Sequence, residues 1–143
     1  MKNLKQISYI EEHEEEEAIR FVEEKLGCER PRVCGPWLAV MLYTRHEETY
    51  VTKEGEKSQI VVPGSVADND TFSSMTGLVL SIGHGAYKGE QFKEYGPTCK
   101  VGDWITFPRH EGVRAWYKGR PIYYLYDDKI MQVVKDPADV TRD

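Results

Sequence analysis

The feature that most restricts this chain is a change of apolar period at Pro31. Before it, apolar residues recur at helical spacing. After it, they alternate residue by residue in short runs broken by Gly, Pro, Asn and Asp. Trp37 to Tyr43 sets Leu38, Val40 and Leu42 on one face and Trp37, Ala39 and Met41 on the other, the pattern of a strand buried on at least one side. Met75 to Gly83 repeats it, with Leu78, Leu80 and Ile82 opposed to Val79 and Ser81, and ends at Gly83-His84-Gly85, which demands a turn. Gly102-Asp103 is a tight turn into Trp104-Ile105-Thr106-Phe107, which Pro108 stops. Ile122 to Tyr126 and Ile130 to Val134 read as two closing strands bridged by Asp127-Asp128-Lys129. The expected fold class is mainly β.

Ahead of the strands, Ile10 to Leu26 opens on Glu11, Glu12 and Glu14 to Glu17 and continues with Ala18, Ile19, Phe21, Val22 and Leu26. Acid at the front of a helix favours the positive end of its dipole, so an amphipathic helix ending at Gly27 is expected. This gives a helical extension over 1–30 and a β domain over 31–143. Because the core pattern begins only at Trp37, the residues before Pro31 are expected to be dispensable for the β domain. Two polar excursions interrupt the strands. Residues 44–74 read as a long mobile loop, rich in Glu and Lys, in which Ile60-Val61-Val62 is the one apolar triplet. On its local sequence alone, that triplet reads equally well as an ordinary strand. Residues 86–98 form the second excursion.

Several functions are excluded by what the residues lack. The net charge of −5 does not supply the clustered Lys and Arg that phosphate binding draws on, so no nucleic-acid partner is expected. No apolar run approaches the ~20 residues of a membrane helix. Met1 to Gln6 begins basic but leads into no apolar stretch or small-residue cleavage site, which points to a cytoplasmic protein. Cys28, Cys34 and Cys99 are odd in number and far apart, and His13, His46, His84 and His110 share no ligand spacing, so neither a disulfide framework nor a metal is expected. There is no Gly-rich phosphate loop, nucleophile elbow or His-Glu-x-x-His pair. Asp127 and Asp128 are better explained by a turn than by acid–base chemistry. The chain is therefore read as a non-enzyme without cofactor or catalytic residues, whose function lies in shape and surface.

From Trp37 to about Lys135 the order of elements resembles the GroES-like co-chaperonin family. Thr76-Gly77-Leu78-Val79-Leu80-Ser81-Ile82-Gly83-His84-Gly85 is similar to the family's Gly-x-Val-x-x-Val-Gly-x-Gly strand and turn, Lys100 to Phe107 to its Val-Lys-Val-Gly-Asp-x-Val-x-Phe segment, and Tyr126 to Val134 to its closing strand. The resemblance implies an irregular β-barrel, assembled as a seven-membered homo-oligomer that caps a GroEL-like chaperonin ring over an encapsulated client polypeptide. It also implies that Ile60, Val61 and Val62 are the chaperonin-binding residues, that a hairpin around Tyr87 to Tyr95 forms a roof, and that ATP belongs to the chaperonin. Exposed first and last strands offer the edges by which such subunits join.

The chain departs from the family pattern at Ser58-Gln59, where paired glycines usually precede the triplet, in the length of its loop and in the helix before Pro31. These departures fit a virus-encoded, divergent member acting on the host cytoplasm's chaperonin. They equally fit a barrel recruited as a virion decoration or connector subunit.

Overall fold

A computed structural model describes residues 6–43 and 74–140. Their strands are β1 (Trp37–Leu42), β2 (Ser74–Ile82), β3 (Trp104–Pro108), β4 (Val113–Tyr117), β5 (Arg120–Tyr126) and β6 (Gln132–Val134), and they are preceded by one helix, α1 (Glu15–Leu26). The strands form one sheet in the order β4-β5-β1-β2-β3-β6, antiparallel at every pairing. The mainly β class expected from the sequence holds. Among the described residues the barrel does not close by hydrogen bonding, and its two edges are β4 and β6; the last strand is an edge as expected, but the first, β1, is central because it pairs with β5 on one side and β2 on the other.

The helix begins where the sequence places its acids. A 3-10 turn over Glu12–Glu14 leads into α1, with the Glu11 N–H donating to the Glu14 carboxylate at 2.9 Å. Glu15, Glu16 and Glu17 occupy the first turn of α1 and Lys25 the last, each at the favourable pole of the dipole. Gly27 ends the helix in the left-handed conformation at φ 85°, its N–H bonded to the Glu23 carbonyl at 2.8 Å. Ala18, Val22 and Leu26, four residues apart, form the buried stripe.

Both faces of the sheet are covered. On one face Val22 and Leu26 pack with Ala39, Leu78, Leu80 and Ile122. On the other, Leu38, Val40, Val79, Ile105, Phe107, Tyr123 and Leu125 form the larger cluster, into which Ala86, Tyr87 and Cys99 are inserted from the connection between β2 and β3.

One expected alternation is broken. The β1–β2 register shifts between Ala39, opposite Ser81, and Val40, opposite Val79, so Leu80 is an extra residue and the pair carries a β-bulge. Leu78 and Leu80 share one face, as the pattern implied, and that face meets the helix, but Ile82 packs on the opposite cluster. A bulge leaves ladder groups without a strand partner, and here the chain following α1 supplies one. The Arg30 guanidinium donates to the Leu80 carbonyl at 3.1 Å, the Arg30 N–H donates to the Glu23 carboxylate at 3.1 Å, and the Ser81 hydroxyl donates to the Pro31 carbonyl.

A second tie lies at the Gly102-Asp103 turn. Gly102 sits at φ 100°, and a Cβ there would come within 2.8 Å of the Ala18 Cβ, so both the turn and the helix require glycine. The Asp103 carboxylate closes the turn by accepting from the Lys100 N–H at 2.8 Å. It also holds the N-terminal segment, accepting from the Ser8 hydroxyl and from the Tyr9 N–H at 3.1 Å. Burial pushes the Asp103 carboxyl above its ordinary range, and the bonds from Ser8, Lys100 and Tyr9 offset part of that rise.

Two predictions follow from this packing. Whether residues 31–143 form a self-sufficient unit is tested by deleting residues 1–30. Val22 and Leu26 are fully buried, and burying such a side chain contributes about 1.5–3 kcal/mol, while a whole domain is stable by only ~5–15 kcal/mol. Thermal melting by circular dichroism should therefore show a steep loss of stability, and a truncated chain that melts at the full-length midpoint would establish the strands as self-sufficient. The second prediction concerns pH. A carboxyl whose folded-state pKa is raised contributes most where it is protonated and loses that contribution as the pH rises through its folded pKa. Asp103→Asn should therefore lose less stability relative to the parent chain at about pH 7 than at about pH 4, as measured by urea unfolding across that range.

Candidate functional site

The segment carrying the sequence-predicted binding residues leaves and re-enters the sheet at one place. Leu42 at the end of β1 is opposite Gly77 in β2, and the Tyr43 N–H donates to the Thr76 carbonyl at 2.9 Å. Tyr43 meets Trp104 of β3 edge to face at 5.5 Å, placing an aromatic pair at this exit. Gly77 is required by close approach, since a Cβ there would lie 2.3 Å from Val40 Cγ1. Residues 44–73 thus start and finish at the same end of neighbouring antiparallel strands. Ile60, Val61 and Val62 lie outside the described residues, as does the loop expected over 44–74 except for Ser74.

At the other end of β1 and β2, the Gly83 N–H donates to the Trp37 carbonyl at 2.8 Å and the Gly85 N–H to the Gly35 carbonyl at 3.0 Å. The excursion over 86–98 contains no strand, so the hairpin implied for Tyr87 to Tyr95 is not formed; its regular structure is a 3-10 turn at Glu90–Phe92. Burial explains the difference. Ala86 and Tyr87 are drawn into the core, and Phe92 meets the Tyr87 ring edge to face at 4.7 Å. Tyr87 adopts φ 64°, and its N–H donates to the Asp127 carboxylate at 2.7 Å. Asp127 therefore serves the turn read from the sequence and also ties the excursion to the β5–β6 connection, a role that its spacing did not signal.

The buried Tyr87 hydroxyl and Cys99 thiol lie 3.3 Å apart. Burial pushes the Cys99 thiol up to about 12 and the Tyr87 phenol far above its usual range, so both are neutral at physiological pH and neither is an activated nucleophile. Among the described residues no three His, Cys, Asp or Glu side chains are grouped to hold a metal, and no helix is long and apolar enough to cross a membrane. Surface features among the described residues include a groove of about 430 Å³ between α1 and the Glu29 to Val33 segment, an apolar depression of about 250 Å³ beside β4, and the two sheet edges.

The thiols give a direct check on this arrangement. With iodoacetamide at neutral pH and mass-spectrometric readout, exposed Cys34 should be alkylated readily, whereas buried Cys99 should react only after denaturation. Alkylation of native Cys99 at the rate of Cys34 would mean that the 86–98 excursion does not stay packed.

Comparison with known proteins adds one match: the family described as Chaperonin 10 Kd subunit aligns with residues 44–134. No curated protein matches the chain. The aligned span takes in β2 to β6, the Gly83–Gly85 and Gly102-Asp103 turns and the segment bearing Ile60-Val61-Val62, which is well over half of the sequence. The chain therefore belongs to the chaperonin 10 kDa subunit family, whose members are co-chaperonins.

Proposed function

We propose that this co-chaperonin caps a chaperonin ring and assists ATP-dependent folding of a client polypeptide in the enclosed cavity, docking through Ile60, Val61 and Val62. The observation that carries the reading is the family match over 44–134, which includes the triplet and the strand order around it. The sheet supports it by fixing both ends of the triplet-bearing segment on β1 and β2, strands buried on both faces.

The energetics favour many weak contacts over one strong one. Three buried aliphatic side chains contribute on the order of 5–8 kcal/mol, whereas fixing each backbone residue costs about 1–2 kcal/mol. One copy alone binds poorly. A cyclic homo-oligomer, proposed here as a seven-membered ring, presents its triplets together, so each docking after the first is intramolecular and the sum is firm yet releasable. Nucleotide binding and hydrolysis remain with the chaperonin.

Replacing all three triplet residues by Ser tests the assignment. The expected result is loss of ATP-dependent co-sedimentation with a chaperonin at an unchanged thermal midpoint. Unchanged co-sedimentation would remove the docking role from the triplet, and a collapsed midpoint would make it a core strand. If the parent chain itself never co-sediments with chaperonin in the presence of ATP, the capping function fails and the structural, recruited role takes its place.

A further inference from the structure

We propose that residues 6–10 lock the excursion over 86–98 in its packed state, acting through the Asp103 carboxylate that holds both. The device belongs to the fold and operates whatever the chain docks on. Each end of the excursion is held by an aspartate that accepts a backbone N–H. At its start the Tyr87 N–H donates to the Asp127 carboxylate at 2.7 Å, and just past its end the Lys100 N–H donates to the Asp103 carboxylate at 2.8 Å. The two ends meet in the core, where the Tyr87 hydroxyl and the Cys99 thiol lie 3.3 Å apart. Between them, the backbone bonds of Phe92 to Gly89, Lys93 to Glu90 and Gly96 to Phe92 close within the excursion itself. Tyr87 holds a left-handed φ of 64°, a conformation that a residue other than glycine keeps only while its surroundings impose it. The excursion is thus a strained loop pinned at its ends, and its alternative is an open state with Tyr87 relaxed and Cys99 in water.

The second pin is shared. The same Asp103 carboxylate accepts from the Ser8 hydroxyl and from the Tyr9 N–H at 3.1 Å, while the Ser8 hydroxyl accepts from the Ile10 N–H at 3.0 Å. Asp103 and Ser8 are both buried, yet Ile7 and Tyr9 remain 44% and 53% exposed on either side of Ser8. The segment is therefore held by polar bonds more than by apolar burial. Losing the hydroxyl bond frees it and lets water reach the carboxylate, which then exchanges its bond to the Lys100 N–H with solvent. The helix need not move, because Val22 and Leu26 stay fully buried against the sheet. Cys99 directly precedes Lys100, so slack in the turn reaches the thiol and its contact with Tyr87. The excursion is the element with two states, and a coupling between it and residues 6–10 must act in both directions.

Labelling of the native, full-length chain tests the lock. With iodoacetamide at neutral pH and exposed Cys34 as the internal reference, Ser8→Ala should raise the alkylation rate of Cys99 roughly tenfold or more. Tyr9→Ala, which removes the exposed ring but keeps both bonds to Asp103, should leave Cys99 protected. In Ser8→Ala, amide exchange should quicken over 87–100 while that of β1 and β2 is unchanged, the mark of local opening as opposed to global unfolding. The reverse arm removes the other pin: Asp127→Ala should open the excursion and also speed exchange of the Tyr9 N–H severalfold. The proposal is overturned if Cys99 stays protected in folded Ser8→Ala, if Tyr9→Ala exposes it equally, or if its labelling rises only in step with exchange of the β2 amides. It is likewise overturned if Asp127→Ala leaves Cys99 protected, or frees the excursion without changing exchange at Tyr9. Should Ser8→Ala not fold, the Asp127→Ala arm decides alone.

Discussion

β2 is hydrogen-bonded to a neighbour along both edges, to β1 on one side and β3 on the other, and its side chains are buried on both faces. That double burial makes the strand a fixed spine for everything else in the structure. Its bulge at Leu80 presents the carbonyl that Arg30 takes. Its Leu78 and Leu80 are the floor on which α1 lies, and the Val79 backbone pairs with Gly102 and Asp103 to set the turn that holds Ser8 and Tyr9. The N-terminal segment is thus attached to the sheet at separate points, each traceable to a backbone group or small residue on or beside β2.

The period-two runs made the central strands legible, because a strand buried on both faces has little choice of residue. The same reading failed where the backbone departed from ideal geometry. Ile82 shares the parity of Leu78 and Leu80 in the sequence, but one inserted residue turns it to the other face. β4 went unread because Val113, Arg114 and Trp116 are exposed and offer no apolar alternation. Its signal was the following pair, Lys118-Gly119, whose positive φ values of 51° and 81° form the two-residue hairpin turn into β5. The excursion over 86–98 lies between β2 and β3, and its burial depends on Tyr87, Cys99 and Asp127 meeting across long separations, which no local pattern reports. Of the candidate site, the strand order and turn motifs carried the family, whereas Ile60-Val61-Val62 was singled out by composition and given its role only by resemblance.

The sheet gives the two ends of β1 and β2 different characters. At one end the chain departs into the long segment beside Tyr43 and Trp104. At the other, paired glycines and the packed excursion close the core without a strand, secured to the β5–β6 connection through Asp127. β1 and β2, which flank the long segment in the chain, lie at the centre of the strand order, while the free edges β4 and β6 lie at its margins.

The pairing of β1 also shapes how the chain comes to be folded. Its partners are β2, beyond the long connection, and β5, close to the end of the sheet sequence, with Trp37 opposite Tyr126. No neighbour of β1 lies near it in the chain, whereas β4 and β5 need only the Lys118-Gly119 turn to meet. Contacts between distant residues form slowly because loop closure comes before any reward. During synthesis, Leu38, Val40 and Leu125 cannot share a core until Tyr126 has left the ribosome, and for that interval the apolar faces of β1 and β2 stand open to misassociation. A protein that belongs to a family of folding helpers therefore has, in its own central strand, the long-range topology that makes a nascent chain slow to fold.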